Sequence, residues 1–332
     1  MAARILLIAA AGFAALAAVP SAPAPRDAPG AVAGIRAAAP HGRRRPVRKR
    51  AAHPGAPNDP LWRAAWGLHA EGVPAIWRPG RGSSHVVVAV VDTGVDPAQP
   101  DLAGALVPGW NAIDGSTDTT DATGHGTAVA GVVAARADNG LGAAGYCPRC
   151  SVMPVKVFDA AGRGAGSTIA AGIDWAVDHG ADIVNLSLVL DGPDADVAAA
   201  VSGALARNVL VVASAGNDGG AAPRLPAAHP GVVSVAGVDA ASRLYPWSAS
   251  GPWVAVGAPG CNETTTGTDS FGEFCGTSSA TAAVSGLLGL ALSDGATPAQ
   301  AKAALLSTAG GGAVPRVDAR ALITTAVRVA RS

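Results

Sequence analysis

The sequence has no internal repeat, no second apolar run near its C-terminus, and only four cysteines, none with a histidine close by in sequence. The lack of a second apolar run leaves no C-terminal membrane anchor. The lack of nearby histidines argues against zinc, which takes about four Cys, His or carboxylate ligands. Basic runs are also missing from most of the chain. Of 24 basic and 24 acidic side chains, residues 1–56 hold nine and one, which leaves the remainder 15 against 23 and net acidic. An acidic body argues against nucleic acid as the main partner.

What is present begins with Arg4, an apolar run from Ile5 to Val19, and then small residues and prolines. That is the pattern of a secretory leader, with a cut near Ala17 to Ala24, and its apolar run is short for a membrane span. Residues 1–24 therefore read as a signal peptide, and the mature protein as secreted and extracellular. Residues 25–56 are rich in Ala, Pro, Gly and Arg and show no sustained period, so they read as a disordered pro-segment or linker. The basic run Arg43, Arg44, Arg45, Arg48, Lys49 and Arg50 reads as solvated chain open to a basic-specific protease, with a patch for nucleic acid or anionic lipid as the weaker reading.

Four cysteines in an exported chain imply disulfides. Cys147 and Cys150 bracket two residues, and Cys261 and Cys275 bracket a polar stretch. Pairing Cys147–Cys150 and Cys261–Cys275 is the simplest of three connectivities, all of which the sequence leaves open. A redox role for Cys147-Pro-Arg-Cys150 is the weaker reading. Such pairs draw a low thiol pKa from a helix N-terminus, and this one leads into a strand-like run.

The apolar content of 49% is ample for a core, and 43 glycines with 25 prolines imply many loops around it. From Pro57 onward, strand-like runs alternate with helical patterns. Strands are expected at His85–Val91, Ser151–Phe158, Ile183–Leu188, Val209–Ser214, Val232–Val238 and Trp253–Val256. Helices are expected at Ala128–Ala135, Thr168–Val177, Val197–Arg207, Ser279–Leu292 and Pro298–Ser307. Ser279–Leu292 is nearly all apolar, as a helix buried in the middle of a protein should be. Strands buried on both faces and joined through helices predict an α/β fold, a mostly parallel central sheet with helices on both faces. Residues 57–332 then form one domain, with active groups beyond the C-terminal ends of the strands.

Three segments carry chemistry. Val87–Gly94 places Asp92 where a buried strand ends. Gly124-His125-Gly126-Thr127 puts an imidazole at a helix start. Gly276-Thr277-Ser278-Ser279 puts a hydroxyl at the N-terminus of the apolar helix. Singly these are a strand-end carboxylate, a loop histidine and a helix cap. Jointly they are what acyl transfer needs. A serine is a poor nucleophile until a base takes its proton, and the imidazole needs a carboxylate to fix its tautomer. Val211–Asn217 ends another strand at Asn217, whose amide and the backbone N–H of Ser278 can converge on an oxyanion. No Gly-x-Ser-x-Gly elbow frames Ser278, which argues against an esterase of the order Ser, Asp, His.

These segments resemble the subtilisin-like (subtilase) serine peptidases, especially the secreted bacterial type. The order Asp92, His125, Ser278 and the frames Val-Val-Asp-Thr-Gly, Gly-His-Gly-Thr, Ala-Gly-Asn and Gly-Thr-Ser are theirs, from about Pro57 to Ile323. The resemblance implies the subtilisin-like three-layer fold and a serine endopeptidase acting through an acyl-enzyme. It also implies a cleft that takes peptide as an added strand along Gly162-Arg163-Gly164 and Ser187-Leu188-Val189. Ala213, Ser214, Ala215 and Gly216 would wall the pocket for the residue before the scissile bond. No cofactor is implied for catalysis; a structural calcium is, at Asp59, Asp101 and a loop containing Asn139. Partners are then peptide or protein substrates, and the enzyme a monomer. Val189 stands where the family usually has glycine, Ser279 for methionine, Ala282 for proline and Ala128 for a frequent histidine. The pro-segment is too short to be a folded helper domain. These departures keep a second reading open, a catalytically silent subtilase-like protein that binds peptides.

Overall fold

The computed structural model describes residues 5–7, 56–77, 80–312 and 314–331. Apart from Ile5–Leu7, the signal peptide expected at 1–24 and the basic segment up to residue 55 lie outside the described residues. Seven parallel strands form the central sheet, in the order β10 (Val256–Pro259), β9 (Val233–Val238), β8 (Leu210–Ser214), β6 (Ile183–Leu186), β2 (Val87–Asp92), β4 (Ser151–Lys156) and β3 (Trp110–Asn111). The chain leaves β2 for β4 on one side and later returns to β6 on the other. The strand order therefore reverses at β2, and a crevice opens beyond its C-terminal end.

Side chains of β2 alternate between two cores, as the two-residue period of a strand requires. Val88 and Val90 join one cluster, and Ala89 and Val91 the other. The second cluster is covered by α4 (Gly166–Asp178) and α5 (Ala195–Ala206). The first is covered by α3 (His125–Ala134), α6 (Thr277–Ser293), α7 (Pro298–Thr308) and α8 (Ala319–Ala330), with α1 (Trp66–Ala70) and α2 (Val73–Ile76) outside them. Every residue of α3, and of α6 from Thr277 to Ala291, is buried. The low-polarity, alanine-rich composition is what permits this. The expected three-layer α/β architecture is present.

Two smaller sheets are present among the described residues. β11 (Cys261–Gly267) and β12 (Ser270–Cys275) make a hairpin whose ends are joined by the Cys261–Cys275 disulfide. Cys147 and Cys150 are joined as well. In the other sheet, β1 (Ile5–Leu7) lies antiparallel to β5 (Arg163–Gly164) and to β7 (Leu188–Leu190). One strand sits later than its apolar run. Trp253–Val256 was expected to be extended, but the strand begins at Val256, because Trp253 closes a loop through its indole N–H to the Ala221 carbonyl at 3.0 Å. Pro259, which has no N–H to give, is tolerated because β10 is an edge strand.

Candidate active site

Asp92 ends β2 and is fully buried. His125 opens α3 behind Gly124, whose φ of 82° is left-handed, and Ser278 is the second residue of α6 behind Gly276, whose φ is 145°. Bringing the β2 end against the α3 start needs glycine at 126, where a Cβ would stand 2.0 Å from the Gly94 carbonyl oxygen. The three side chains then line up. His125 Nδ1 lies 2.7 Å from Asp92 Oδ1, and His125 Nε2 lies 3.2 Å from Ser278 Oγ. The Phe274 ring meets the imidazole edge-on, at 5.4 Å between centroids and 79° between planes. Phe274 is itself buried, so the hairpin holds one side of the histidine against water.

Asn217 follows the end of β8. Its Oδ1 accepts from the backbone N–H and the hydroxyl of Thr277, both at 2.9 Å. Those bonds fix which end of the amide is which. Asn217 Nδ2 is left buried and, among the described residues, without a hydrogen-bond partner; Asp92 Oδ2 is the only other side-chain atom in that condition. A buried unpaired donor costs about 1–3 kcal/mol, and this one sits beside the N-terminus of α6.

The expected cleft segments come together with this group. Arg163–Gly164 and Leu188–Leu190 face each other across Ile5–Leu7, and both pair with it in register: Ile5 with Gly164 and Leu190, Leu6 with Arg163 and Val189, Leu7 with Leu188. The inserted strand runs towards Ser187, whose carbonyl lies 3.5 Å from Ser278 Oγ. Gly162 turns the chain into β5 with a φ of 71°. Beneath Ser187, the buried chain Ser285–Asn185–Ser187 is hydrogen-bonded at 2.9 Å per link. Ala213, Ser214 and Ala215 are buried, and Ser214 Oγ donates to the Leu188 carbonyl at 3.2 Å. A Cβ built on Gly216 would lie 3.4 Å from Ala249, 3.6 Å from the Arg224 stem and 3.8 Å from Val189. Val189, Arg224 and Ala249 therefore lie close around Gly216. Ser279 points elsewhere, accepting from Asn262 Nδ2 at 2.9 Å inside the hairpin.

Asp59 and Asp101 meet at the 138–142 loop. Asp59 accepts from the backbone N–H groups of Asp138 and Asn139, and Asp101 from Asn139 Nδ2 at 2.7 Å and the Ala143 N–H at 3.1 Å. Burial raises both carboxyls above their ordinary pKa, and the charge of Asp59 raises Asp101 further.

A sequence profile described as "Subtilase family" matches residues 83–322. The chain is 37% identical over 255 residues to thermitase of Thermoactinomyces vulgaris, covering 76% of this chain and 91% of that protein. It is 38% identical over 226 residues to subtilisin BL of Lederbergia lenta, covering 68% and 82%. The chain belongs to the subtilase family. It is a secreted serine endopeptidase. A solved protease of Pseudoalteromonas arctica PAMC 21717 superposes on this subtilase with a TM-score of 0.75 at 30% identity, over 82% of this chain and 99% of the other. No helix among the described residues is long and apolar enough to cross a membrane.

Several residues of the site escape a reading by motif. Asp121 accepts hydrogen bonds from both sides of the histidine loop, Phe274 covers His125, and Arg224 lies beside Gly216. Only Asp121 had a local signal, a turn-rich Thr-Thr-Asp-Ala-Thr-Gly run directly before His125.

Proposed function

We propose that Ser278 attacks the scissile carbonyl while His125 Nε2 takes its proton, and that Asp92 holds the other ring nitrogen and stabilises the imidazolium. The negative oxygen then forms beside Asn217 Nδ2 and the Ser278 backbone N–H, whose position at the start of α6 adds the helix dipole. His125 returns the proton to the leaving amine, and water repeats the cycle on the acyl-enzyme. The observation that carries this reading is Asn217 Nδ2, a buried donor held in place by Thr277 with no acceptor of its own among the described residues. A peptide-binding protein without catalysis would have no use for it.

Substrate binds as a strand between β5 and β7, because those two edges already take Ile5–Leu7 in that manner. Backbone ladders read little sequence, so selectivity rests on the pocket of Val189, Gly216 and Arg224. Residues 1–24 serve as an export leader and 25–56 as a pro-segment; while attached, Ile5–Leu7 competes with substrate for the same edges. The hard oxygens around Asp59 and Asp101 suit a structural calcium, whose charge would offset their mutual repulsion. Asn139 presents nitrogen to Asp101, so it would ligate only with its amide turned over.

A serine-directed phosphonate labels Ser278 in the secreted form, and N-terminal sequencing of the same sample begins beyond residue 24. Labelling elsewhere, or an intact leader on the active enzyme, would overturn the respective part.

A further inference from the structure

The hydroxyl of Thr93 has one proton and two carboxylate oxygens within reach. Asp92 Oδ1 lies at 3.2 Å and Asp121 Oδ1 at 2.8 Å, while the oxygen itself accepts from the Gly126 N–H at 3.0 Å. The shorter contact is at the optimum for an O–H···O bond and the longer one beyond its usual range. Asp121 is held in place by five further donors. Its Oδ1 accepts from Thr123 N, Thr123 Oγ1 and Gly124 N at 3.0, 3.1 and 2.9 Å, and its Oδ2 from Thr127 N and Oγ1 at 2.9 and 2.8 Å. It thus ties the residue after Asp92 to the loop before His125 and to the first turn of α3.

Resting on the triad reading above, we propose that Asp121 is a positioning residue whose carboxylate keeps the Thr93 proton off Asp92 Oδ1, reserving that oxygen for the imidazole. Asp92 Oδ1 already accepts from the Thr93 backbone N–H at 2.7 Å and faces His125 Nδ1 at 2.7 Å. A third donor would draw charge from the oxygen that stabilises the imidazolium. Without Asp121 the hydroxyl needs only to rotate to reach it.

The consequence is read in the acid limb of the kcat/KM–pH profile, which reports the essential base of the free enzyme. The charged groups on the elements around His125 are Asp92, Asp121, Asp96 after β2, Lys156 at the end of β4, and Glu263 and Glu273 on the hairpin. Lys156 bonds the Thr120 carbonyl, and Asp96 takes the Thr268 hydroxyl. Removing Asp121 also removes a negative charge near the imidazole, and that alone moves the limb to lower pH. The charge and the hydroxyl must therefore be separated. Asp121→Asn loses the charge but keeps an amide oxygen for Thr93. Asp121→Ala loses both.

The experiment compares acid limbs in Asp121→Asn, Asp121→Ala and Thr93→Val/Asp121→Ala, with Thr93→Ser/Asp121→Ala as the hydroxyl-retaining control. The limb in Asp121→Ala should lie below that in Asp121→Asn by roughly half a pH unit, and the valine double variant should return to the Asp121→Asn position while the serine one does not. Equal limbs in the two single variants, or an extra shift that survives valine, would overturn the proposal. If Asp121→Ala does not fold, Thr93→Val in the wild-type background decides. Its limb should stay in place, since its hydroxyl is not on Asp92; a move to higher pH shows that it was. Wild-type activity in Ser278→Ala would sink the triad reading and this proposal together, whereas an inactive Ser278→Ala with equal limbs overturns the role of Asp121 alone.

Discussion

Arg224 is ion-paired with Asp218, the residue that follows Asn217. An unpaired Asp218 carboxylate beside Asn217 would attract lysine or arginine before the cleaved bond. The pairing weakens that attraction, and the Arg224 stem and Val189 both lie close to Gly216. Substrates with small or medium apolar residues at that position should be cleaved best, with basic ones disfavoured, in a peptide-library profile. The pair is more than a third exposed, so its charge effect is modest. Arg224→Gln should raise kcat/KM for a lysine substrate by about three- to tenfold, roughly 1 kcal/mol. Val189→Gly should admit phenylalanine. A wild-type preference for aromatic residues would show that this wall does not bound the pocket.

Ser278→Ala and His125→Ala should each lower kcat by roughly four to six orders of magnitude. The double variant should fall little further, because the two act as a unit. Thermal melts should be near wild type for the serine variant. A rate within tenfold of wild type in steady-state assays would remove Ser278 from the mechanism.

Asn217→Ala should lower kcat by about two to three orders of magnitude with little change in KM, since its amide meets charge that exists only in the transition state. An effect confined to KM would make it a ground-state contact. Thr277→Val, which deletes one of the two donors on Asn217 Oδ1, should give a smaller loss of the same kind.

Stability should depend on pH through Asp59 and Asp101. Burial holds both folded-state pKa values above the unfolded ones, so between those values the folded chain binds more protons than the unfolded chain. This contribution is complete below the unfolded pKa and is lost as pH rises through the folded pKa. A chelated sample should therefore lose stability from this pair as acidic buffer is brought towards neutral. Added calcium should raise the melting temperature, and more so at neutral pH than in acid. A calcium effect that is absent or independent of pH would count against the site.

Breaking the Cys261–Cys275 link with paired alanines should cost about 3 kcal/mol on the chain-entropy account of a loop near 15 residues. It should also reduce kcat, because the hairpin it closes carries Phe274 against His125 and hydrogen-bonds α3 through Thr264 and Thr265. Urea melts and kinetics with and without the pair separate the two effects.

The strands and helices that proved legible are those whose patterns are set by burial alone. Val87–Val91 and Leu210–Ala213 lie between two helical layers and are apolar throughout, so their runs are visible without neighbours. The triad was legible because each member sits in a short frame of small residues that lets backbones approach. The β11–β12 hairpin was not read. Its threonines and glutamates carry no apolar alternation, and two of its inward threonines are satisfied only by carbonyls of α3. Helix α8 was missed although Asp318 caps it and its apolar residues are spaced for one face. The contacts of the Thr93 hydroxyl, 2.8 Å to Asp121 and 3.2 Å to Asp92, are set by tertiary placement that no linear pattern records.

The helix that carries Ser278 runs through the middle of the molecule, walled by β2, β6, β8, β9 and β10 on one side and by α3, α7 and α8 around it. An endopeptidase at high concentration is surrounded by its own best-matched substrate, another copy of itself. Cleavage needs an extended segment to enter the cleft, and the buried segments packed on this helix can leave the core only when the helix leaves its place. Because so many elements meet on it, such an opening is close to complete unfolding. For cuts within this core, the lifetime of the enzyme in its own company is thus tied to a slow rate, that of losing α6 from the centre.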